Sequence, residues 1–304
     1  MATFTISHNL LTDVCDVNQF ALPSLEMIFV GLRGAVVSDA NDHFFKGQQT
    51  LNLIDINYIN ARCTILQWRP ANQDIAVFPA STVPNQINVK KSLDGGEKSN
   101  CLLTGYYKDY RKGIHKEGQK TGHPAFRQHA PHPIKRTSDD LDFDRDDRVE
   151  YSNPRDNIHC GWFQSLSSDN FASAGCQVVM GFPKCEKPGR EKNVGPWKVF
   201  HDNAYGINQD SFPYVLVTGL DIFGLSNNGS TKAKLRYGSG GPKVKALQEA
   251  LKDQNFYDGI IDGDFGELTM RAVIRFQQQR FGNDDADGIV GRITAEELGI
   301  DNVL

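Results

Sequence analysis

His159 and Cys176 stand 17 residues apart in this 304-residue chain, and their types and spacing suit nucleophilic chemistry. The histidine sits in Asn157-Ile158-His159-Cys160-Gly161-Trp162, the cysteine in Ser173-Ala174-Gly175-Cys176-Gln177. A thiol near its ordinary pKa of about 8.5 is a few per cent ionised at neutral pH, and only the thiolate is a strong nucleophile. An imidazole titrating near ~6.5 is the natural partner for its proton. Gly175 lets the backbone approach a bound carbonyl, and the amides around Cys176 are placed to receive an oxyanion. The competing role for Cys176 is that of a small buried hydrophobe.

Taken together the two stretches resemble the signature of the L,D-transpeptidase catalytic domain. In that family a histidine-plus-small-residue element precedes a Ser-His/Arg-Gly-Cys element by a similar distance. His159, Ser173, Gly175 and Cys176 match the pattern. Ala174 departs from the usual His or Arg, and Gln177 and Val178 depart from the apolar residue and Arg or Asn that follow the cysteine. The resemblance implies that the Cys176 thiolate attacks the carbonyl of the third stem-peptide residue of peptidoglycan. The terminal D-alanine then leaves and a thioester remains. His159 takes the thiol proton and returns one to the leaving amine. The carbonyl of Cys160 is implied as the group that holds the imidazole, with Asp156 and Asn157 as local alternatives. An amine resolves the thioester in transpeptidation or D-amino-acid exchange, and water does so in L,D-carboxypeptidation. Asn157, Trp162, Ala174 and Gln177 fall on the substrate side of the motif. The scheme requires no cofactor and no metal.

Two other readings compete. In papain-like and related wall-cleaving peptidases the cysteine precedes the histidine, which here would pair Cys176 with His201. In the other, the protein is a wall-binding structural or adaptor protein with an inactive catalytic domain.

Composition is ordinary for a globular protein, with 39% hydrophobic and 23% charged residues. The net charge is −4, with 7 basic and 12 acidic residues from Gly238 onward, so neither part carries the basic excess of a nucleic-acid binder. No run approaches the ~18 apolar residues of a membrane span. The six cysteines are irregularly spaced, which suits buried thiols better than a zinc site or a disulfide framework.

A β-rich catalytic domain is expected over residues 1–219, a linker over 220–237 and a helical domain over 238–304. Short alternating runs at Met27–Val30, Leu51–Ile56, Cys63–Trp68 and Ile75–Phe78 read as strands of a sandwich or barrel. Phe78–Val83 resembles the strand and turn that open the L,D-transpeptidase domain, and Phe212–Thr218 reads as a closing strand. The basic, tyrosine-rich stretch 106–122 has no clear period and reads as a long exposed loop, suited as a lid over an acidic sugar-linked peptide. His123, His129 and His132 have zinc-compatible types, but Pro124, Pro131 and Pro133 deny them a common helix. The acidic run 139–147 lacks the glycine and late glutamate of a calcium loop, and reads as an exposed turn with Leu141 and Phe143 inward.

Beyond residue 238 three short helices are expected. Pro242 opens the first, with Val244, Leu247 and Leu251 on one face; Ala272, Val273 and Phe276 mark the second; Thr294 with Glu297 reads as a capping box for the third. Asp262-Gly263-Asp264-Phe265-Gly266-Glu267-Leu268-Thr269 recurs 25 residues later as Asp287-Gly288-Ile289-Val290-Gly291-Arg292-Ile293-Thr294. The Asp-Gly pairs are turns, and each threonine reads as a helix cap. This segment resembles the three-helix peptidoglycan-binding domain, which implies peptidoglycan as partner and Asp262, Phe265, Thr269, Phe276 and Gln277 as residues of the binding module. The N-terminus shows no basic-then-apolar leader. The expectation is therefore synthesis in the cytoplasm and action in the periplasm or wall, after delivery by a secretion apparatus or release by lysis. A toxin of that kind would have a cognate immunity protein.

Overall fold

The computed structural model describes residues 2–96, 99–137, 140–143, 147–228 and 233–304. The chain begins with β1 (Ala2–Ser7) and α1 (His8–Val17), then β2 (Ile28–Arg33), β3 (Ala35–Val37), β4 (Gln48–Leu53), β5 (Cys63–Arg69) and β6 (Asp74–Ser81). After α2 (Gln86–Leu93) come β7 (Cys101–Leu102), β8 (Gly105–His115), β9 (His123–Gln128), β10 (His132–Arg136), β11 (Arg148–Ser152), β12 (Ile158–Cys160) and β13 (Gln177–Val179). The barrel region ends with α3 (Pro196–Tyr205), β14 (Ser211–Thr218) and α4 (Gly219–Asn228). Three further helices follow: α5 (Pro242–Asp253), α6 (Glu267–Phe281) and α7 (Arg292–Leu298).

Eight strands close into a barrel in the order β12-β13-β6-β5-β2-β14-β8-β9. Closure removes sheet edges and leaves every barrel strand with two neighbours. Phe29, Phe78, Phe126, Phe200 and Phe212 pack in its core with ring centroids 4.7–5.9 Å apart. The expected strands at Cys63–Trp68 and Ile75–Phe78 form the β5–β6 hairpin, and Phe78–Ser81 continues β6. β14 runs parallel to β2 and antiparallel to β8, well inside the sheet. Proline has no N–H to give a ladder, and the register shifts between Phe212 and Tyr214, where Pro213 sits. A second apolar cluster joins α1, α4 and the sheet β1-β4-β3 to the barrel's outer face.

Two expectations are corrected here. The stretch 106–122 is no loop over its first ten residues: β8 runs from Gly105 to His115 and pairs with both β14 and β9. Tyr106, Tyr107 and Tyr110 are buried, so barrel packing decides a stretch whose local pattern is ambiguous. Residues 116–121 alone form the turn to β9. The proposed linker, 220–237, begins as helix, because Ile222, Phe223 and Leu225 give α4 an apolar face that packs in the cluster with α1 and β1. Residues 229–232, the centre of that stretch, lie outside the described residues. At its far end buried Arg236 bonds Thr104, 3.0 Å away, and Asp221, while Tyr237 Oη meets Tyr151 Oη at 2.9 Å. Leu141 and Phe143 do turn inward, toward Val83, Val89 and Cys101, whereas the rest of the acidic run includes residues 139 and 144–146 outside the described set.

Candidate functional site

The parallel pair β12–β13 sets His159 opposite Val178, so Cys176 enters at the start of β13 beside the strand that carries the histidine. β9 pairs with β12 on the other side, and β8 with β9. Those pairings bring His123 and His115, partners at the turn end of the β8–β9 hairpin, against His159. The His115 and His159 rings stack with centroids 3.9 Å apart and planes 13° apart, and His123 lies 5.3 Å from His159. A ring nitrogen of His115, a ring nitrogen of His159 and Cys176 Sγ all lie within 4.8 Å of one another.

The tautomer of His159 follows from its partners. His123 Nδ1 donates to the Thr121 carbonyl at 2.7 Å, which leaves His123 Nε2 as an acceptor. His159 Nδ1 therefore donates, to the Cys160 carbonyl at 2.7 Å and in a longer shared contact to His123 Nε2 at 3.3 Å. Of the three orienting groups the sequence allows, the Cys160 carbonyl makes the contact. His159 Nε2 is left as a buried lone pair with no hydrogen-bond partner. Burial first, then the neighbouring His115 and His123, hold His159 well below the usual imidazole range, against the opposing pull of the Cys160 carbonyl. The ring is thus a neutral base at neutral pH.

The thiol loop is held from beneath. Ser173 Oγ donates to the Cys176 carbonyl at 2.7 Å and accepts from Gly175 N at 3.3 Å. Asn100 N bonds the Ala174 carbonyl at 2.9 Å, and Asn85 N bonds that of Ser173 at 2.9 Å. Gly175 packs on a buried Asn100–Asp156 pair: a Cβ there would lie 2.4 Å from Asn100 Nδ2 and 2.5 Å from Asp156 Oδ1. Asp156 Oδ2 has no partner, and burial pushes this carboxyl up to about 7. The amides of Gly175 and Gln177 are both committed, to Ser173 Oγ and the Asn157 carbonyl, so they are not the oxyanion donors that the sequence suggested.

Two residues assigned to substrate contact have other tasks. Gln177 is fully buried: its Nε2 donates to the Gly175 carbonyl at 3.0 Å, and its Oε1 accepts from Tyr214 Oη at 3.0 Å. It braces the thiol loop against the barrel. Asn157 is 4% exposed and works as a clamp, accepting from Gln128 N at 3.0 Å and donating to His115 Nδ1 at 2.9 Å. Trp162 and Ala174 do line the open cleft beside Cys176, a space of about 920 Å³. Lys116, Arg127, Arg155 and Lys187 also line it, with Glu117 as the exposed acid. The turn 116–121 contributes Lys116, Glu117, Gln119 and Thr121 to that wall.

Of the other candidate thiols and histidines, Cys15, Cys63, Cys101 and Cys160 are buried, and burial pushes Cys160 up. His201 lies on α3, stacked on Tyr205 and 2.8 Å from Asp202, and is not among the described residues lining the cleft. His132 packs on Tyr107 and Tyr110, apart from His123, so the H-x5-H-x2-H set is not assembled. His115, which the sequence reading did not single out, joins instead. Its only local signal was its place at the end of an aromatic, basic stretch.

The helical domain repeats one device twice. Gln248 Nε2 donates to Asp262 Oδ1 at 2.8 Å and Thr269 Oγ1 at 3.0 Å, while its Oε1 accepts from Gly263 N at 2.9 Å. Gln277 makes the matching set with Asp287, Thr294 and Gly288. The helix caps are Gly266 and Gly291, without side-chain bonds, so Thr269 and Thr294 are inside their helices and do not cap them. The expected capping box at Thr294 is absent for that reason. Phe265, Thr269, Phe276 and Gln277 are buried, which places them in the frame of the module and away from a polymer surface.

Residues 240–298 match the family model of the peptidoglycan binding domain. The spore cortex-lytic enzyme of Bacillus subtilis (strain 168) is 41% identical over 64 residues, a match that covers 21% of this chain and 21% of that protein. The chain thus spans about a fifth of that relative's length. No solved structure matches the chain. No helix among the described residues is long and apolar enough to cross a membrane. The chain is a β-rich region with a closed eight-strand barrel followed by a helical peptidoglycan-binding domain.

Proposed function

We propose that the barrel region is a cysteine acyl-transfer enzyme acting on the stem peptide of peptidoglycan, of the L,D-transpeptidase type. The observation that carries the reading is the bare, buried Nε2 of His159, fixed by its Nδ1 bond to the Cys160 carbonyl and clustered with Cys176 Sγ in an open cleft. His159 Nε2 takes the thiol proton. The thiolate then attacks a peptide carbonyl, and collapse of the tetrahedral adduct breaks the C–N bond. The departing amine receives the proton from His159, which leaves a thioester on Cys176. An incoming amine or water gives its proton to His159 and releases the thiol. The basic cleft wall of Lys116, Arg127, Arg155 and Lys187 suits an acidic peptide. The similarity of the helical domain to part of a spore cortex-lytic enzyme points the same way.

The surface that this reading assigns to the polymer is the groove of about 410 Å³ between β11 and α6, where Arg148, Tyr151, Met270 and Arg275 are among the lining residues. That surface takes over from the buried turn residues as the binding face, and it spans both parts of the chain.

The test is mass spectrometry of purified muropeptides incubated with the protein, with and without a D-amino acid. Exchange products, trimmed stems or new cross-links support the reading, provided that Cys176→Ala abolishes them. Unchanged turnover by that variant removes Cys176 as the nucleophile, and no turnover by the parent favours a wall-binding adaptor. Export supplies the test in cells: periplasmic parent protein makes the host swell or lyse, and periplasmic Cys176→Ala does not.

A further inference from the structure

We propose that His115 is a second catalytic imidazole, the hydrogen-bond donor that stabilises the Cys176 thiolate while His159 accepts its proton. The inference rests on the cysteine acyl-transfer reading and assigns that site a residue from a distant strand.

Asn157 settles the state of His115. Its Oδ1 accepts from Gln128 N at 3.0 Å, so its Nδ2 faces the ring and donates to His115 Nδ1 at 2.9 Å. His115 Nδ1 is thereby an acceptor, and the ring's proton sits on Nε2. For His159 the opposite holds, with the proton on Nδ1 and the lone pair on Nε2. The two rings are nearly parallel, at 13°, and 3.9 Å apart. Cys176 Sγ lies within 4.8 Å of a nitrogen from each, and the Nδ1 atoms are both engaged elsewhere. The thiol rests as a donor to the Arg155 carbonyl at 3.7 Å, and the two free Nε2 positions offer it one acceptor, on His159, and one donor, on His115.

The division of labour has an electrostatic reason. When His159 takes the proton it becomes a cation, and a second cation stacked at 3.9 Å would oppose that step. Burial, then His123, lowers His115 to about 3, so it stays neutral and donates without adding charge. The titratable and charged groups acting on it are His123 and Arg127 on β9, Lys116 after β8 and His159 on β12, with Glu117, Arg155, Asp156 and Lys187 lining the same cleft. No atom is transferred from His115: it donates a hydrogen bond, and the proton moves between Sγ and His159.

The experiment is iodoacetamide alkylation of Cys176 across pH, on the full chain without substrate, followed by muropeptide kinetics. His115→Phe keeps a ring on His159 but removes the donor. His115→Gln offers both an oxygen to Asn157 and an N–H to sulfur. The expected result is that His115→Phe moves the alkylation midpoint up toward the ordinary thiol value of about 8.5 and lowers kcat roughly 10- to 100-fold, with KM little changed. His115→Gln should recover a large part of both. Melting curves check that each variant is folded, and should His115→Phe not fold, the His115→Gln profile set against His115→Asn decides. If a folded His115→Phe alkylates with the parent's midpoint and rate while His159→Ala does not, the His115 assignment is overturned and the dyad stands. If neither variant changes thiol reactivity, the acyl-transfer reading itself fails.

Discussion

Gln248 and Gln277 hold equivalent positions in successive helices of the peptidoglycan-binding domain, each tying an Asp-Gly turn to the threonine one turn into the next helix. The repeat in the sequence is thus a repeat of buried hydrogen bonding. The amide supplies donors to two or three acceptors, so its chemistry is specific: a carboxylate of the same shape would face Asp262 with like charge.

Replacing Gln248 by Ala should cost about 2–4 kcal/mol, since it leaves several buried groups unpaired. Gln248→Glu should cost at least as much. A helical domain of about 65 residues has little margin, so both variants should lower its melting transition and release the protein from insoluble peptidoglycan. Retained sedimentation and melting in Gln248→Ala would remove the strut from the account.

Gly175→Ala tests the fit between the thiol loop and the layer beneath it. The new methyl would meet Asn100 and Asp156 at 2.4 and 2.5 Å, and both of these are buried and cannot withdraw to solvent. The loop must lift, at about 1–3 kcal/mol. The expected outcome is a folded protein whose Cys176 alkylates and turns over at least tenfold more slowly, a rise of ~1.4 kcal/mol or more in the barrier. Parent-like rates would mean that the loop position is unimportant.

Acid should weaken the fold early. Burial lowers His115 to about 3 and His132 to about 4, and lowers His123 and His159 as well. Their unfolded pKa values are near ~6.5, so the unfolded chain binds more protons than the native one below that pH. The stability from neutral rings is present above about 6.5 and is lost as pH falls toward the folded values, at up to ~1.4 kcal/mol per pH unit for each histidine. Urea denaturation at pH 7 and pH 5 should show a much lower midpoint at pH 5. His132→Phe, away from the thiol, should reduce that difference.

Asp156 acts with the opposite sign. Burial raises it from 3.8 to about 7, so the native state binds a proton that the unfolded chain has released. Stability tied to the protonated acid is present below about pH 4 and is lost as pH rises toward 7, up to ~1.4 kcal/mol per unit. Asp156→Asn keeps the shape and the partner Asn100 but no longer titrates. It should gain on the parent between pH 5 and pH 8 in melting temperature and match it most closely near pH 4. An equal gap between the two proteins at all pH values would show that Asp156 does not titrate there.

The His159–Cys176 cluster, the small Ser-Ala-Gly approach and the three helices of the C-terminal domain, though not their caps or binding face, were legible in the sequence because each is written locally. Asp-Gly turns, a proline at the helix start and apolar faces at helical spacing depend on near neighbours, and Leu247, Leu251, Val273 and Phe276 are indeed core. The tertiary structure decided what depends on closure. β8 is a strand because β14 and β9 flank it, and only that closure carries His115 onto His159 across the barrel wall. It also turned Gln177 from a substrate contact into a buried brace, since Tyr214 reaches it from β14 across the barrel. Side-chain types and spacing along a chain state what chemistry is possible. Which nitrogen keeps its proton, and which residue comes to face the thiol, is set by partners that no local pattern records.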